Sequence, residues 1–399
     1  MRTFAPAHAF CFQIDKIMIV KANSNLFNAP SNAVQTVKTL HLINGEHFSG
    51  AERVQDLLAL ALPEFGYEVG FACLKPDKFP EVRNSDTALH TLTMNSRFSL
   101  GCFRDVVDIA KREDYRVIHA HTPRTLMIGA LASRKLKCPL VYHVHSPVGR
   151  DSCRGVMNRL NGMIEKLSLR QVSKMICVSG SLGQYMAEIG HAPEKLAVVP
   201  NGVELVNDLV NPTVPTGTWT IGCMALYRPR KGTEVLLEAL KILKDNNSPV
   251  RLRAVGPFQT EAYEQEVLAR VEALGVGDMI EWTGFQTNVN EQLAKMDVFV
   301  LPSLYGEGLP MVVLEAMANA VPVVASNVEG IPEAVRDGVD GMIFESGDAQ
   351  DLANKLSSLI GNDQLWESMS QSSLERQRTK LSDRSMAQGV AEVYNGLLK

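Results

Sequence analysis

The sequence predicts an α/β protein of two doubly wound parallel sheets that face a cleft. Short apolar runs alternate with helical patterns along nearly all of the 399 residues. Strands separated by helices of that length imply βαβ units, hence parallel sheets with helices on both faces. The length, with 45% hydrophobic and 21% charged residues, is that of two ordinary globular domains. A break falls mid-chain, where LVNDLVNPTVPTGT places three Asn or Asp and two Pro between two series of strands.

In chain order, residues 1–36 read as a poorly ordered extension. Pro6, His8 and Asp15 interrupt its mild apolarity, no clear cleavage signature follows, and Met18 is a candidate start. Residues 37–208 form a first domain on the strands TLHLI, YEVGFAC, YRVIHAH, PLVYHVH, KMICVS and KLAVVP, and residues 209–217 a linker. Residues 218–383 form a second domain on WTIGCMAL, RLRAVG, DVFVLP and VPVVAS. Residues 384–399 read as a final helix, with Met386, Val390, Val393 and Leu397 at helical spacing.

A net charge of −4 gives no global reason to expect nucleic-acid binding. The seven scattered cysteines form no C-x-x-C, which argues against a disulfide framework or a zinc site and for a reducing cytoplasm. No apolar run reaches the ~18 residues of a membrane-spanning helix.

Ligands of open α/β sheets sit beyond the carboxyl ends of the strands, and four such places carry polar groups. In NGEHFSGAERVQDLL, Ser49 and Glu52 make a capping box. The plain reading is a capped core helix, but Gly50 also leaves bare backbone where phosphate or sugar oxygens could bind. His119 with His121, and His143 with His145, lie two apart and so share one side of their strands. A metal site there is conceivable, yet no HExxH or carboxylate at ligand spacing supports it, and such histidines are more often hydrogen-bonded core or rim residues. Third, Arg228, Arg230 and Lys231 precede a helix expected to be capped by Thr233 and could neutralise a diphosphate. Fourth, Pro310 suits the first turn of a helix running from about Leu309 to Asn319. Its dipole favours an anion, with Glu307 before the helix and Glu315 inside it, about 8 Å along the axis.

These pieces resemble a retaining GT-B glycosyltransferase of family 4. The resemblance rests on EGLPMVVLEAMANAVPVVASNVEGIPEAV (an E-x7-E motif), RPRKGTEVLLEAL, VVPNGVE, the VIHAH and VYHVH strand ends, MDVFVLPS and VAEVYNGLL, and covers about residues 37 to 399. It implies two Rossmann-like domains, a nucleotide sugar held mainly by the second, and a last helix that crosses back onto the first. By match, Glu315 would bind the donor ribose, Glu307 the transferred sugar or its phosphate side, and Lys231 the phosphates. Gly308 and Leu309 would offer amides, Gly50 would lie near the phosphates, and His121, or else His119, would contact the sugar. Ala225-Leu226 stands where the family has Gly-Arg, so the arginine has to come from Arg228, the first choice, or Arg230; only Ser49-Gly50 occupies the first glycine loop.

The implied activity is metal-independent, retaining transfer of a hexosyl unit from a UDP- or GDP-sugar to a glycan or lipid-linked acceptor. There is no D-x-D in the chain, so no metal and no cofactor beyond the donor is expected. A cytoplasmic protein, with contact to the inner face of a membrane through RFSLGCFRD and residues 149–171 as a further expectation, completes the reading. The alternatives are a hydrolysing nucleotide-sugar 2-epimerase and a non-catalytic sugar-nucleotide binder; a dehydrogenase is disfavoured because no G-x-G-x-x-G follows a predicted strand.

Overall fold

The computed structural model describes residues 18–19, 36–92, 101–146, 167–206, 209 and 213–399. Two all-parallel sheets, one in each half of the chain, organise these residues.

The first sheet contains β1 (Met18–Ile19), β2 (Val37–Ile43), β3 (Tyr67–Cys73), β4 (Leu89–Thr91), β5 (Val117–Ala120), β6 (Leu140–Val144), β7 (Lys174–Cys177) and β8 (Leu196–Val198) in the order β1-β8-β7-β6-β5-β2-β3-β4. Its longer helices are α1 (Gly50–Ala61), α2 (Cys102–Arg112), α3 (Pro123–Leu136) and α4 (Gly180–Glu188). Strand β1 comes from the stretch read as an extension: Met18 and Ile19 pair with Ala197 and Val198 at the sheet edge. Residues 149–166 and 97–100, most of the segments considered for membrane contact, lie outside the described residues. Among the described residues no helix is long and apolar enough to cross a membrane.

The second sheet contains β9 (Trp219–Met224), β10 (Val250–Val255), β11 (Ile280–Gly284), β12 (Val298–Leu301), β13 (Val323–Ser326) and β14 (Gly341–Phe344) in the order β11-β10-β9-β12-β13-β14. Renumbered from its own start this is 3-2-1-4-5-6, the doubly wound Rossmann order. Helices α5 (Thr233–Asp245), α6 (Glu261–Leu274), α7 (Met311–Ala318), α8 (Ala349–Leu359), α9 (Asp363–Lys380) and α10 (Asp383–Leu397) follow. The central strands read VFVL and VVAS and are buried throughout, as a sheet covered on both faces requires.

Two helix starts differ from the expectation. Helix α7 begins at Met311, and Pro310 takes the N-cap position with extended backbone (φ −71°, ψ 120°). Helix α5 is preceded by Gly232 and not capped by Thr233, whose side chain is buried as the first helical residue. Gly232 has φ +64°, and a Cβ there would stand 2.0 Å from the Pro302 carbonyl oxygen, so the chain can pass β12 only with glycine at this position.

Helix α10 lies against the first domain: Tyr67 Oη donates to Asn395 Oδ1 at 2.7 Å and Arg384 pairs with Glu64 at 2.5 Å. The two crossings of the chain run side by side. Val203 N donates to Leu381 O and Asp383 N to Val203 O, both at 3.0 Å, and a Cβ on Gly202 would meet Ser382 O at 2.0 Å.

Candidate functional site

In each sheet the strand order reverses between two neighbours, β2 and β5 in the first and β9 and β12 in the second. These switch points are where adjacent loops diverge and leave a crevice. Gly50, His121, Arg228, Arg230, Lys231, Glu307, Gly308 and Leu309 lie on loops or helix starts beyond these strands, whereas His119 is within β5, His143 within β6 and Glu315 inside α7.

In the second domain, the loops after β9 and β12 are tied together by the bond from Leu304 N to Arg230 O at 2.8 Å. Glu307, 5% exposed, sits between them. Its carboxylate accepts from Lys231 Nζ at 2.5 Å, Ser303 Oγ at 2.7 Å and Arg230 Nη1 at 3.3 Å. Burial opposes ionisation, but Lys231 and Arg230 outweigh it and hold the carboxyl below the usual range. Arg230 also donates to the Tyr305 and Gly306 carbonyls, both at 3.1 Å. Arg228 is half-buried at the start of the same turn, and its neighbours Arg230 and Lys231 contact Glu307.

Glu315, 5% exposed on α7, faces the other way. Burial raises its pKa, which the ion pair with Arg53 partly offsets. That pair spans the cleft, since Arg53 belongs to α1. Gly50, at the start of α1, would place a Cβ 3.7 Å from Met311 Cγ at the start of α7. Two helix N-termini therefore converge from opposite domains, and their unpaired amides and dipoles favour an anion between them. Among the described residues the amides of Gly308 and Leu309 donate to nothing, while the Leu309 carbonyl accepts from Asn201 Nδ2 at 2.8 Å. A Cβ on Gly308 would stand 2.0 Å from His145 O, so glycine permits the domains to close here.

The histidines form one stack. His41 on β2 is the Cα partner of His119 on β5, and His121, His143 and His145 continue toward the cleft. Hydrogen bonds link His145 Nε2 to His121 Nδ1 (3.1 Å), His121 Nε2 to His41 Nδ1 (3.3 Å), and Tyr394 Oη to both His41 Nε2 (3.0 Å) and His119 Nδ1 (2.6 Å). Burial lowers all five, His41 to about 3 and His145 to about 4, so the rings are neutral at pH 7. His121 is the ring that reaches between the stack and partly buried His145 at the cleft.

The sequence reading did not single out Arg53, Glu333 or His41. Arg53 lies three residues after Gly50, hence on the same face of α1, a signal in SGAER that was available. Glu333 joins the domains differently: its carboxylate accepts from Gly180 N at 2.5 Å and Ser181 N at 2.7 Å, capping α4 across the cleft. Between α4 and Glu307 remains a cavity of about 100 Å³, lined in part by Ser179, Tyr185, Gly308 and Glu329. Small-molecule pockets run to about 300–1,000 Å³, so this cavity by itself is too small for a nucleotide-sized ligand.

The family model for group 1 glycosyl transferases matches residues 208–376, and that for glycosyltransferase family 4 matches residues 48–206. Among curated relatives, the chain is 25% identical to the UDP-Gal:α-D-GlcNAc-diphosphoundecaprenol α-1,3-galactosyltransferase of Escherichia coli, over 80% of this chain and 87% of that one. It is 24% identical to the capsular polysaccharide biosynthesis glycosyltransferase CapM of Staphylococcus aureus, over 80% and 88%. Among solved structures, Anabaena HepE in complex with UDP and glucose superposes with a TM-score of 0.78 at 24% identity, covering 90% of this chain and all of that one. With one model on each half of the chain and a doubly wound sheet under each, the protein belongs to the family 4 glycosyltransferases and has their GT-B fold.

Proposed function

We propose that this glycosyltransferase moves a hexosyl unit from a UDP- or GDP-sugar, with retention and without a metal at the diphosphate, to a glycan or lipid-linked acceptor in cell-surface polysaccharide or glycolipid synthesis. The observation that carries the reading is the pairing of Glu307 with Arg230 and Lys231 beneath two converging helix N-termini. A dianionic leaving group placed there meets largely buried cations and oriented amides, which act more strongly than they would in open solvent. UDP is the nucleotide of the HepE complexes, and the E. coli relative is named for UDP-Gal and a diphosphoundecaprenol acceptor. Both support a UDP-sugar donor here, and the E. coli relative supports a lipid-linked acceptor.

In this mechanism the C1–O bond of the donor breaks and its electron pair passes to the β-phosphate. Lys231, Arg230 and neighbouring Arg228, with the amides of Gly308 and Leu309 and the α1 end at Gly50, stabilise that charge. The acceptor oxygen bonds to C1 on the face the phosphate leaves, and the departing phosphate takes the acceptor proton. Glu307 and His121 hold the transferred sugar, and Glu315 accepts from the ribose hydroxyls after releasing Arg53.

Thermal stabilisation by UDP, GDP and ADP, with EDTA throughout, tests the donor side. A selective shift that Lys231→Ala and Glu315→Ala abolish is expected. A shift that appears only with a divalent metal would overturn the metal-free reading. Release of free sugar from donor alone would point to the 2-epimerase instead, and the anomeric configuration of the transferred sugar decides retention.

A further inference from the structure

The reaction above uses one of five histidines, and the other four have no part in it. A neutral imidazole stack is costly to bury: Nε2 of His119 and both ring nitrogens of His143 have no hydrogen-bond partner, and each buried unsatisfied polar group costs about 1–3 kcal/mol.

We infer that His41, His119 and His121 form a binding site for one transition-metal ion of the Zn²⁺ class, inside the first domain and apart from the donor diphosphate. One ring nitrogen from each lies within 4.8 Å of the others. His41 Nδ1 and His121 Nε2 are 3.3 Å apart; for metal–nitrogen bonds of about 2.0–2.1 Å that is roughly the edge of a tetrahedron. On the far sides, Tyr394 Oη engages His41 Nε2 and His119 Nδ1. A single hydroxyl thus holds two rings by the nitrogens an ion would not use, the outer-shell arrangement that orients metal-binding histidines. His41 Nδ1, His121 Nε2 and the partnerless Nε2 of His119 remain for the ion.

The ring planes favour this trio over its neighbour. His41 is inclined at 59° to His119 and 35° to His121, so its lone pair approaches from a different plane, while His119 and His121 are stacked at 26° and have to turn to meet it. His121, His143 and His145 also bring ring nitrogens within 4.8 Å, but no pair among them is inclined by more than 28°, and His143 has no outer hydrogen-bond partner to orient it. Three imidazoles without a carboxylate select Zn²⁺, Co²⁺, Ni²⁺ or Cu²⁺ over Mg²⁺ and Ca²⁺, and leave a fourth position for water. Partly buried His145, 3.1 Å from His121, marks the way in from the cleft. An ion on His121 Nε2 leaves Nδ1 toward the cleft, so the site stands whatever sugar the enzyme transfers.

The test is a Co²⁺ titration of the full-length protein after chelator treatment and dialysis, read by visible absorption, with metal analysis after Zn²⁺ loading. Expected are one ion per chain, the strong visible bands of low-coordinate cobalt, bleaching by Zn²⁺ and none by Mg²⁺. His41→Asn and His119→Asn should abolish the bands, His143→Asn should keep them, and Tyr394→Phe should weaken binding by about 10- to 100-fold. Cooperative melting of each variant is checked first, and if a histidine variant does not fold, Tyr394→Phe decides. Absence of the bands in folded wild-type protein overturns the inference, as does unchanged affinity in Tyr394→Phe. So does loss in His143→Asn with retention in His41→Asn, which would move the ion to the other trio.

Discussion

Replacing Glu307 by Gln leaves two cations facing each other without their anion. Lys231 and Arg230 have side chains only 14% and 13% exposed, against 7% for Glu307. Removing one partner of a buried pair costs about 3–5 kcal/mol. The lower end applies, because the glutamine oxygen still accepts a bond and both cations retain a path to water. For domains of this size, ~3 kcal/mol corresponds to a fall in Tm of about 6–12 °C. A diphosphate would restore negative charge beside Lys231 and Arg230, so UDP should stabilise Glu307→Gln by more degrees than wild type at equal saturation, while turnover is lost. Differential scanning calorimetry with and without UDP, at matched multiples of each Kd, reads both effects. A variant as stable as wild type with an identical UDP shift would refute the claim that these cations sit at the diphosphate.

Glu315 should behave oppositely. Its pKa is raised, so ionisation opposes folding as pH rises, and Glu315→Gln should be at least as stable as wild type at pH 7 while nucleotide affinity falls about 10-fold or more, taking ~1.5–3 kcal/mol for a hydrogen bond to a charged group; calorimetric titration measures this. Gly308→Ala should keep both domains folded but hold them apart, lowering kcat with little change in circular dichroism, because the new Cβ would overlap His145 O. For the histidine stack the folded pKa values are depressed. The stability they confer is therefore complete above about pH 6.5 and lost as pH falls toward the folded values, about 3 for His41 and about 4 for His145, at up to ~1.4 kcal/mol per pH unit for each ring. Urea midpoints measured from pH 7.5 to pH 5 should drop steeply, and a flat profile would contradict neutral burial of the cluster.

The strands that the sequence disclosed are those buried on both faces, because a run such as VFVL or VVAS announces itself by composition alone. Those it hid are at edges: β4 is LHT, β11 is IEWTG and only partly buried, and β14 is GMIF. Edge strands need no long apolar run: β4 and β11 are broken by polar residues, and the run in β14 is only four residues long. At the site, Glu307 and Lys231 stood out as candidates because they follow apolar strands on loops rich in Gly and Pro, and Glu315 because it is a carboxylate among the apolar residues of the helix that follows. The contact of Arg230 with Glu307 was not legible, because Arg228 and Arg230 flank Pro229 symmetrically and only the fold decides which reaches that carboxylate. Gly232 was missed as the residue before α5 because Thr233 beside it carries a good capping side chain, and tertiary contact with Pro302 overrode local preference. Arg53 and Glu333 each meet a partner from the opposite domain, a distance along the chain that periodicity does not encode.

The paired crossings at Val203 and Leu381–Asp383 have a mechanical consequence. A single linker would let the halves swivel in any direction, whereas two strands bonded side by side resist twisting and shear and leave bending about one line as the soft motion. Among the described residues, contacts such as Arg53 with Glu315, Glu333 on α4, and Gly308 on His145 would then make or break in a single swing. Opening for substrate and assembly of the reaction centre become one coordinate, so a ligand that bridges the two helix ends selects a position along an arc and not an orientation in space.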